Sequence, residues 1–200
     1  MKEPEYIDSV ILALRRKCVE KQVEQQQISD TVHIGVNKIS LYREELFGGK
    51  CSIMLPEILS DMNDRYRRIK YPNLNRPQII KTDVNADATM TFSLLPMAEV
   101  ENITDISAQI EKLYGDMKKV WKQFVFYDTG QVEAGELPVG WMDFRSFCMD
   151  GSIYNLLFMF QAEEQIVLGN FHCSFPQYDI WKPVILKLLA TIQVNNQAKE

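Results

Sequence analysis

Two hundred residues, 46% of them hydrophobic, with a net charge of −5, are enough for one well-buried domain and an appendage. The acidic balance gives no basis for a nucleic-acid or anionic-membrane partner. No apolar run reaches the roughly 18 residues of a spanning helix, and four cysteines without C-x-x-C or zinc-like spacing are expected as free thiols in a reducing compartment.

The opening MKEPEYIDSVILALRRK places acids before its apolar stretch and positive charges after it. A secretory signal has the reverse order, so a cytoplasmic protein is expected. Ile7, Val10, Ile11, Leu14 and Cys18 follow the i, i+3, i+4, i+7 spacing of one apolar stripe. They predict an amphipathic helix over 5–27, within an appendage of residues 1–29. Two readings stand for it: packing on its own domain, or a partner or homodimer surface.

Residues 30–194 are expected to form the domain proper. TVHIGV and KISLYREELF (31–36 and 38–47) predict strands, Gly48-Gly49 a turn, and KCSIML (50–55) the returning strand, ended by Pro56. A short helix is expected over 57–64. The loop after it, RYRRIKYPNLNR (65–76), is basic and aromatic. No nucleic-acid motif accompanies it, so it reads as a solvated loop with local ion pairs. PQIIKT (77–82) and TMTFSLL (89–95) predict a hairpin. A helix over about 102–121, capped by Asn102 or Thr104, sets Ile106, Ile110, Leu113, Met117 and Val120 on one stripe. Residues 123–127 predict a further strand.

The stretch 139–176 reads as three consecutive antiparallel strands. Asp150-Gly151 is a strong hairpin signal, because such turns need positive φ. It predicts the pairs Met149–Ser152, Phe147–Tyr154 and Arg145–Leu156. A polar loop over 161–164 then predicts Phe160–Gln165, Phe158–Val167, Leu156–Gly169 and Asn155–Asn170. One face carries Met142, Phe144, Leu157, Met159, Ile166 and Leu168; the other carries Trp141, Tyr154, Leu156, Phe158, Phe160 and Phe171. A sheet apolar on both faces needs two covers, so helices are expected on both sides. The last helix, about 179–193, places Trp181, Val184, Ile185, Leu188, Leu189 and Ile192 on one face, and residues 195–200 are expected to fray. The fold class is therefore α+β, an α/β/α sandwich around a mainly antiparallel sheet.

The same register sets Ser146, Asn155 and Asn170 in one cross-strand row, with His172 nearby. Two readings remain open: a self-satisfied polar rung, or a candidate binding spot in a ligand cleft serving a small-molecule or enzymatic function. His172 adjoins Cys173, but strand neighbours point to opposite faces, which argues against a thiol–imidazole dyad. Asp143 and Arg145 share a face and are expected to pair with each other or cap helix ends. No phosphate-binding, nucleophile-elbow or metal-ligand motif is present. No catalytic residue, metal or cofactor is expected, and the chain reads as a non-enzyme.

Four segments in order carry a resemblance: RIKYPNLNRPQIIKT (68–82), TMTFSLL (89–95), the run from GWMDFRS to DGSIYNLLFMF (140–160), and the run from LGNFHC to WKPVILKLLATI (168–192). In these the chain resembles the PsbP-like superfamily, and within it the DcrB-like bacterial domains. The resemblance implies an α/β/α sandwich and a mostly non-catalytic membership of accessory subunits, a binder of a nuclear-transport GTPase, lipoproteins and chaperone-adaptors for secreted effectors. It implies here a cytoplasmic adaptor or chaperone whose partner is a hydrophobic segment of a secreted effector.

Overall fold

The computed structural model describes residues 30–96, 105–149 and 151–195. The helix expected over 5–27, the caps Asn102 and Thr104, and position 150 of the first hairpin lie outside these residues.

The described chain is mixed α+β, and its strand pairings are antiparallel. Strands β1 (Thr31–Ile34), β2 (Asn37–Leu46), β3 (Cys51–Pro56) and β11 (Gln193–Val194) form one sheet in the order β1-β2-β3-β11. Strands β4 (Ser60–Asp61), β5 (Ile79–Thr82), β6 (Thr89–Pro96), β7 (Val125–Ala134), β8 (Leu137–Cys148), β9 (Gly151–Ala162) and β10 (Gln165–Ser174) form the second, in the order β4-β5-β6-β10-β9-β8-β7. The helices are α1 (Asp64–Lys70), α2 (Ile106–Val120) and α3 (Tyr178–Leu189).

Both hairpins of the large sheet sit two residues from the expected register. Arg145 pairs with Tyr154 and Phe147 with Ser152, so residues 149 and 150 make the connection. Likewise Phe160 pairs with Val167, Phe158 with Gly169 and Asn155 with His172, and the loop shrinks to Glu163 and Glu164, with Glu163 at φ 55°. Side chains alternate with period two, so a slip of two keeps every residue on its expected face.

One face packs Met142, Phe144, Met159 and Ile166 against Ile106, Ile110 and Met117 of α2. The other packs Tyr154, Leu156, Phe158, Phe160 and Phe171 against Trp181, Val184, Ile185 and Leu188 of α3. Ile53 and Leu55 of β3 join the same cluster, so this cover is a helix and a second sheet rather than helices alone. Lys81 on β5, only 4% exposed, bridges the two sheets through Glu44 of β2 at 2.8 Å and also pairs with Asp61 of β4 at 2.9 Å.

Several boundaries differ from expectation. The helix expected over 57–64 starts instead at Asp64, where Asn63 caps it by accepting from the Arg65 amide at 2.8 Å. Leu59 and Met62 are buried, and the chain makes a turn at 57–58, closed by the Leu59 amide donating to the Pro56 carbonyl at 2.8 Å, before the short strand β4. Half of the expected basic loop is therefore α1. Asp105 caps α2, accepting from the Ser107 and Ala108 amides at 2.8 and 3.3 Å. Val120, expected on its buried stripe, is exposed in the last turn. Helix α3 stops at Leu189, and 193–194 pair with β3.

Phe158 lies across Gly169 on the face under α3. A β-carbon at Gly169 would fall 2.0 Å from that ring, which also makes an edge-to-face contact with Phe92 at 5.9 Å. Gly169→Ala is expected to destabilise the protein by about 2–3 kcal/mol, as overpacking of a filled core does. A urea melt showing an unchanged midpoint contradicts this packing.

Candidate functional site

Ser146 on β8, Asn155 on β9, and Asn170 and His172 on β10 do come together, with His172 directly across from Asn155 and with Ser146 and Asn170 diagonal to it. Asn155 stands opposite Phe144 and His172; Ser146 faces Ile153 and Asn170 faces Leu157. The Asn155 amide donates to Ser146 Oγ at 3.0 Å and to the Ile153 carbonyl at 3.2 Å. Its oxygen accepts from the Asn170 amide at 3.4 Å. With its amide turned over, Asn170 donates instead to the Leu156 and Phe171 carbonyls at 3.2 and 3.3 Å. In either orientation these amides are engaged within the sheet. Burial, then the positive charge of Lys70, pulls the pKa of half-buried His172 down to about 4 and keeps it neutral. Cys173 points to the opposite face, where burial and then Asp179 push its thiol up to about 12. A cavity of about 610 Å³ lies elsewhere, lined by residues that include Gln131, Leu137, Pro138 and Val194 but none of these four side chains.

The other face carries a buried charged cluster. A bulge in β7 between Phe126 and Thr129 turns the Asp128 amide inward, where it donates to Asp143 Oδ1 at 2.8 Å. Tyr154 donates to Asp143 Oδ2 at 2.8 Å. Lys182, one turn into α3, pairs with Asp143 at 2.8 Å and Asp128 at 2.9 Å and lies over the Trp141 ring at 5.1 Å. Burial, then the Asp143 carboxylate, raises the Tyr154 phenol well above its ordinary pKa. Burial alone would lower the Lys182 pKa, but its two carboxylates outweigh that and raise it. Asp143 does not pair with Arg145, contrary to the expectation from their shared face. It fastens α3 to the sheet.

Arg145 has a different setting. Its guanidinium lies 4.0 Å from the Phe175 ring centroid and 5.0 Å from that of Phe147. Phe175 stacks on Tyr178 at 4.9 Å and on Tyr127 at 6.4 Å. Phe147 and Tyr127 are nevertheless 49% and 37% exposed, Val125 is exposed on the facing rung, and Met149 is fully exposed. Together they make an aromatic and aliphatic patch around one cation at the end of β7 and β8. Sequence reasoning passed over this patch. Its only signal was that Arg145 and Phe147 alternate along one strand face just ahead of Met149.

No family model matches the chain, and no curated protein matches its sequence. The fold is similar to that of cyanobacterial PsbP from Synechocystis, with TM-score 0.57 and 11% identity over 86% of this chain and 99% of that one. It is also similar to the Ran-binding protein Mog1p of Saccharomyces cerevisiae, with TM-score 0.51 and 9% identity over 78% of this chain and 96% of that one. A Bacteroides thetaiotaomicron structure matches with TM-score 0.52 and 8% identity, over 79% of this chain and 50% of that one. At such identities the likeness is one of fold: the chain has a PsbP-like fold.

Two expectations follow from these clusters. Lys182→Met leaves Asp143, 1% exposed, without its cation, and should lower stability by about 3–5 kcal/mol in a urea melt. A loss below about 1 kcal/mol contradicts the role given to this pair. The native state keeps His172 neutral to about pH 4, whereas an ordinary imidazole protonates near 6.5. The unfolded state therefore binds more protons between those values, and stability falls as pH drops through that window. Unfolding midpoints measured from pH 7 to 4 should fall less steeply in His172→Asn than in the parent, and parallel curves contradict the neutral, buried imidazole.

Proposed function

We propose that the protein is a non-catalytic protein-binding module, a cytoplasmic adaptor or chaperone of the DcrB-like kind built as an α/β/α sandwich. The observation that carries this reading is the patch of Val125, Tyr127, Phe147 and Met149, each more than a third exposed, around Arg145. Interface hot spots are rich in these residue types, and exposed apolar surface in one place marks contact with another macromolecule. The polar row supports the same reading from the other side, since its amides are engaged within the sheet. Mog1p, which shares the fold, is a Ran-binding protein, so the architecture hosts protein recognition. A hydrophobic segment of a secreted effector fits the apolar character of the patch.

The test is affinity capture from the native host with the parent protein and with Phe147→Asp. A defined partner should be retained by the parent and weakened roughly thirtyfold or more by the variant, the size expected for loss of a hot spot. Equal melting temperatures of the two proteins keep the comparison one of binding. Recovery of the same proteins by both, or of no partner by either, defeats the reading.

A further inference from the structure

Arg145 is the one member of the patch that carries charge and lacks a counter-charge. Among the described residues no carboxylate pairs with it, and its Nε is buried without an acceptor. Asp143, two positions away on the same face, is occupied by Tyr154, the Asp128 amide and Lys182. Asp128 is likewise paired with Lys182. Lys182 offsets one of these two negative charges, and neither carboxylate is paired with Arg145.

The guanidinium carbon lies over two rings, 4.0 Å from the Phe175 centroid and 5.0 Å from that of Phe147. A guanidinium stacked in this way still presents donors at its edge, in the fork geometry that fits a carboxylate with two bonds. The surrounding apolar side chains shield that edge, and charge-assisted bonds gain strength where water is sparse.

We infer that Arg145 is the recognition residue of the patch, and that the occupant is a segment of a partner protein in which an aspartate or glutamate side chain sits among apolar residues. This rests on the protein-binding reading above and adds the chemistry of the partner. The apolar neighbours of the acid lie on Val125, Tyr127, Phe147 and Met149, while its carboxylate meets Arg145.

The experiment selects linear peptides from a random library on the immobilised full-length protein. The tightest is then synthesised with its acids and with each acid replaced by the amide. Affinities are measured by fluorescence anisotropy against the parent, Arg145→Gln, Arg145→Lys and Phe147→Ala, with melting temperatures as the control for folding. Selected peptides should carry an acid flanked by leucine, phenylalanine or tryptophan, and the change to amide should weaken binding to the parent roughly tenfold or more. Arg145→Gln should bind acid and amide alike, and Arg145→Lys should recover only part of the difference because it lacks the planar fork.

Selected peptides without acids, or an acid-to-amide ratio unchanged in Arg145→Gln, overturn the inference. If those peptides still lose affinity in Phe147→Ala, the protein-binding reading survives. A parent protein that is a dimer, and that Arg145→Gln dissociates, shows a second copy as the occupant and also overturns it. Failure to select any peptide removes both readings together.

Discussion

Three adjacent strands whose two faces are both apolar set the terms for everything else in this protein. Burying Phe158, Phe160 and Phe171 on one side and Met142, Phe144 and Ile166 on the other is worth about 1.5–3 kcal/mol per side chain. Neither set can be left to water, so each face takes its own cover. Helix α2 supplies one through Ile106, Ile110 and Met117. The other face needs more than α3 provides, and the sheet β1-β2-β3-β11 supplies the rest through Ile53 and Leu55. Gly169 shows how closely the cover fits, since the Phe158 ring occupies the place of its missing side chain.

Apolar contact is not directional, and by itself it does not say where along the strands a cover should stand. Two ion-paired lysines, one buried and one half-buried, supply that information. Lys81 holds Glu44 of the small sheet and Asp61 of the large one at 2.8 and 2.9 Å. Lys182 holds α3 to Asp143 of β8 and Asp128 of β7 at the same distances. In the first cluster the lysine is the nearly inaccessible charge, in the second it is Asp143, 1% exposed, and in each the second carboxylate is open to water. Displacing either cover by one residue would strand a buried charge, which is far less favourable than sliding one apolar side chain past another.

Which residues face which cover was legible in the sequence, because it depends only on the alternation of side chains. The registers were not, and the reason is local. Asp150-Gly151 suggested a turn centred on that pair, but Gly151 pairs with Cys148 and belongs to β9, at φ 151°. The polar stretch 161–164 suggested a four-residue loop, yet Ala162 and Gln165 still pair, and Glu163 takes a left-handed conformation without a glycine. Both errors were of two residues, so the four candidate polar side chains still met, with His172 rather than Asn170 directly across from Asn155. The helix at 64–70 was misplaced for another reason: burial of Leu59 and Met62 competes with helix formation before it. Lys182 and Asp143 lie 39 positions apart with nothing in either local pattern to connect them. Arg145 was noticed only beside Asp143, and its ring partner Phe175 comes from beyond the end of β10.

The position of the patch follows from a mismatch of lengths. A helix rises 1.5 Å per residue and a strand about 3.3 Å, so the 12 residues of α3 reach about 18 Å where the 12 residues of β8 reach about 40 Å. Helix α3 therefore leaves strand uncovered on its face. Near Leu137 and Val139 the second sheet and its neighbours join the cover, and these residues belong to the main core. Near Arg145 and Phe147, past the start of α3, only Phe175 and Tyr178 reach over the sheet, and Phe147 stays half open. A protein with no use for that end would be expected to place polar side chains there, as the opposite face does with Ser146, Asn155 and Asn170. Instead the exposed end carries Val125, Tyr127, Phe147 and Met149, with a ring-held arginine in their midst. Apolar surface at the strand ends and a cation with no counter-charge among the described residues are two separate departures from an ordinary solvated sheet end. A partner segment that brings an acid among apolar side chains accounts for both.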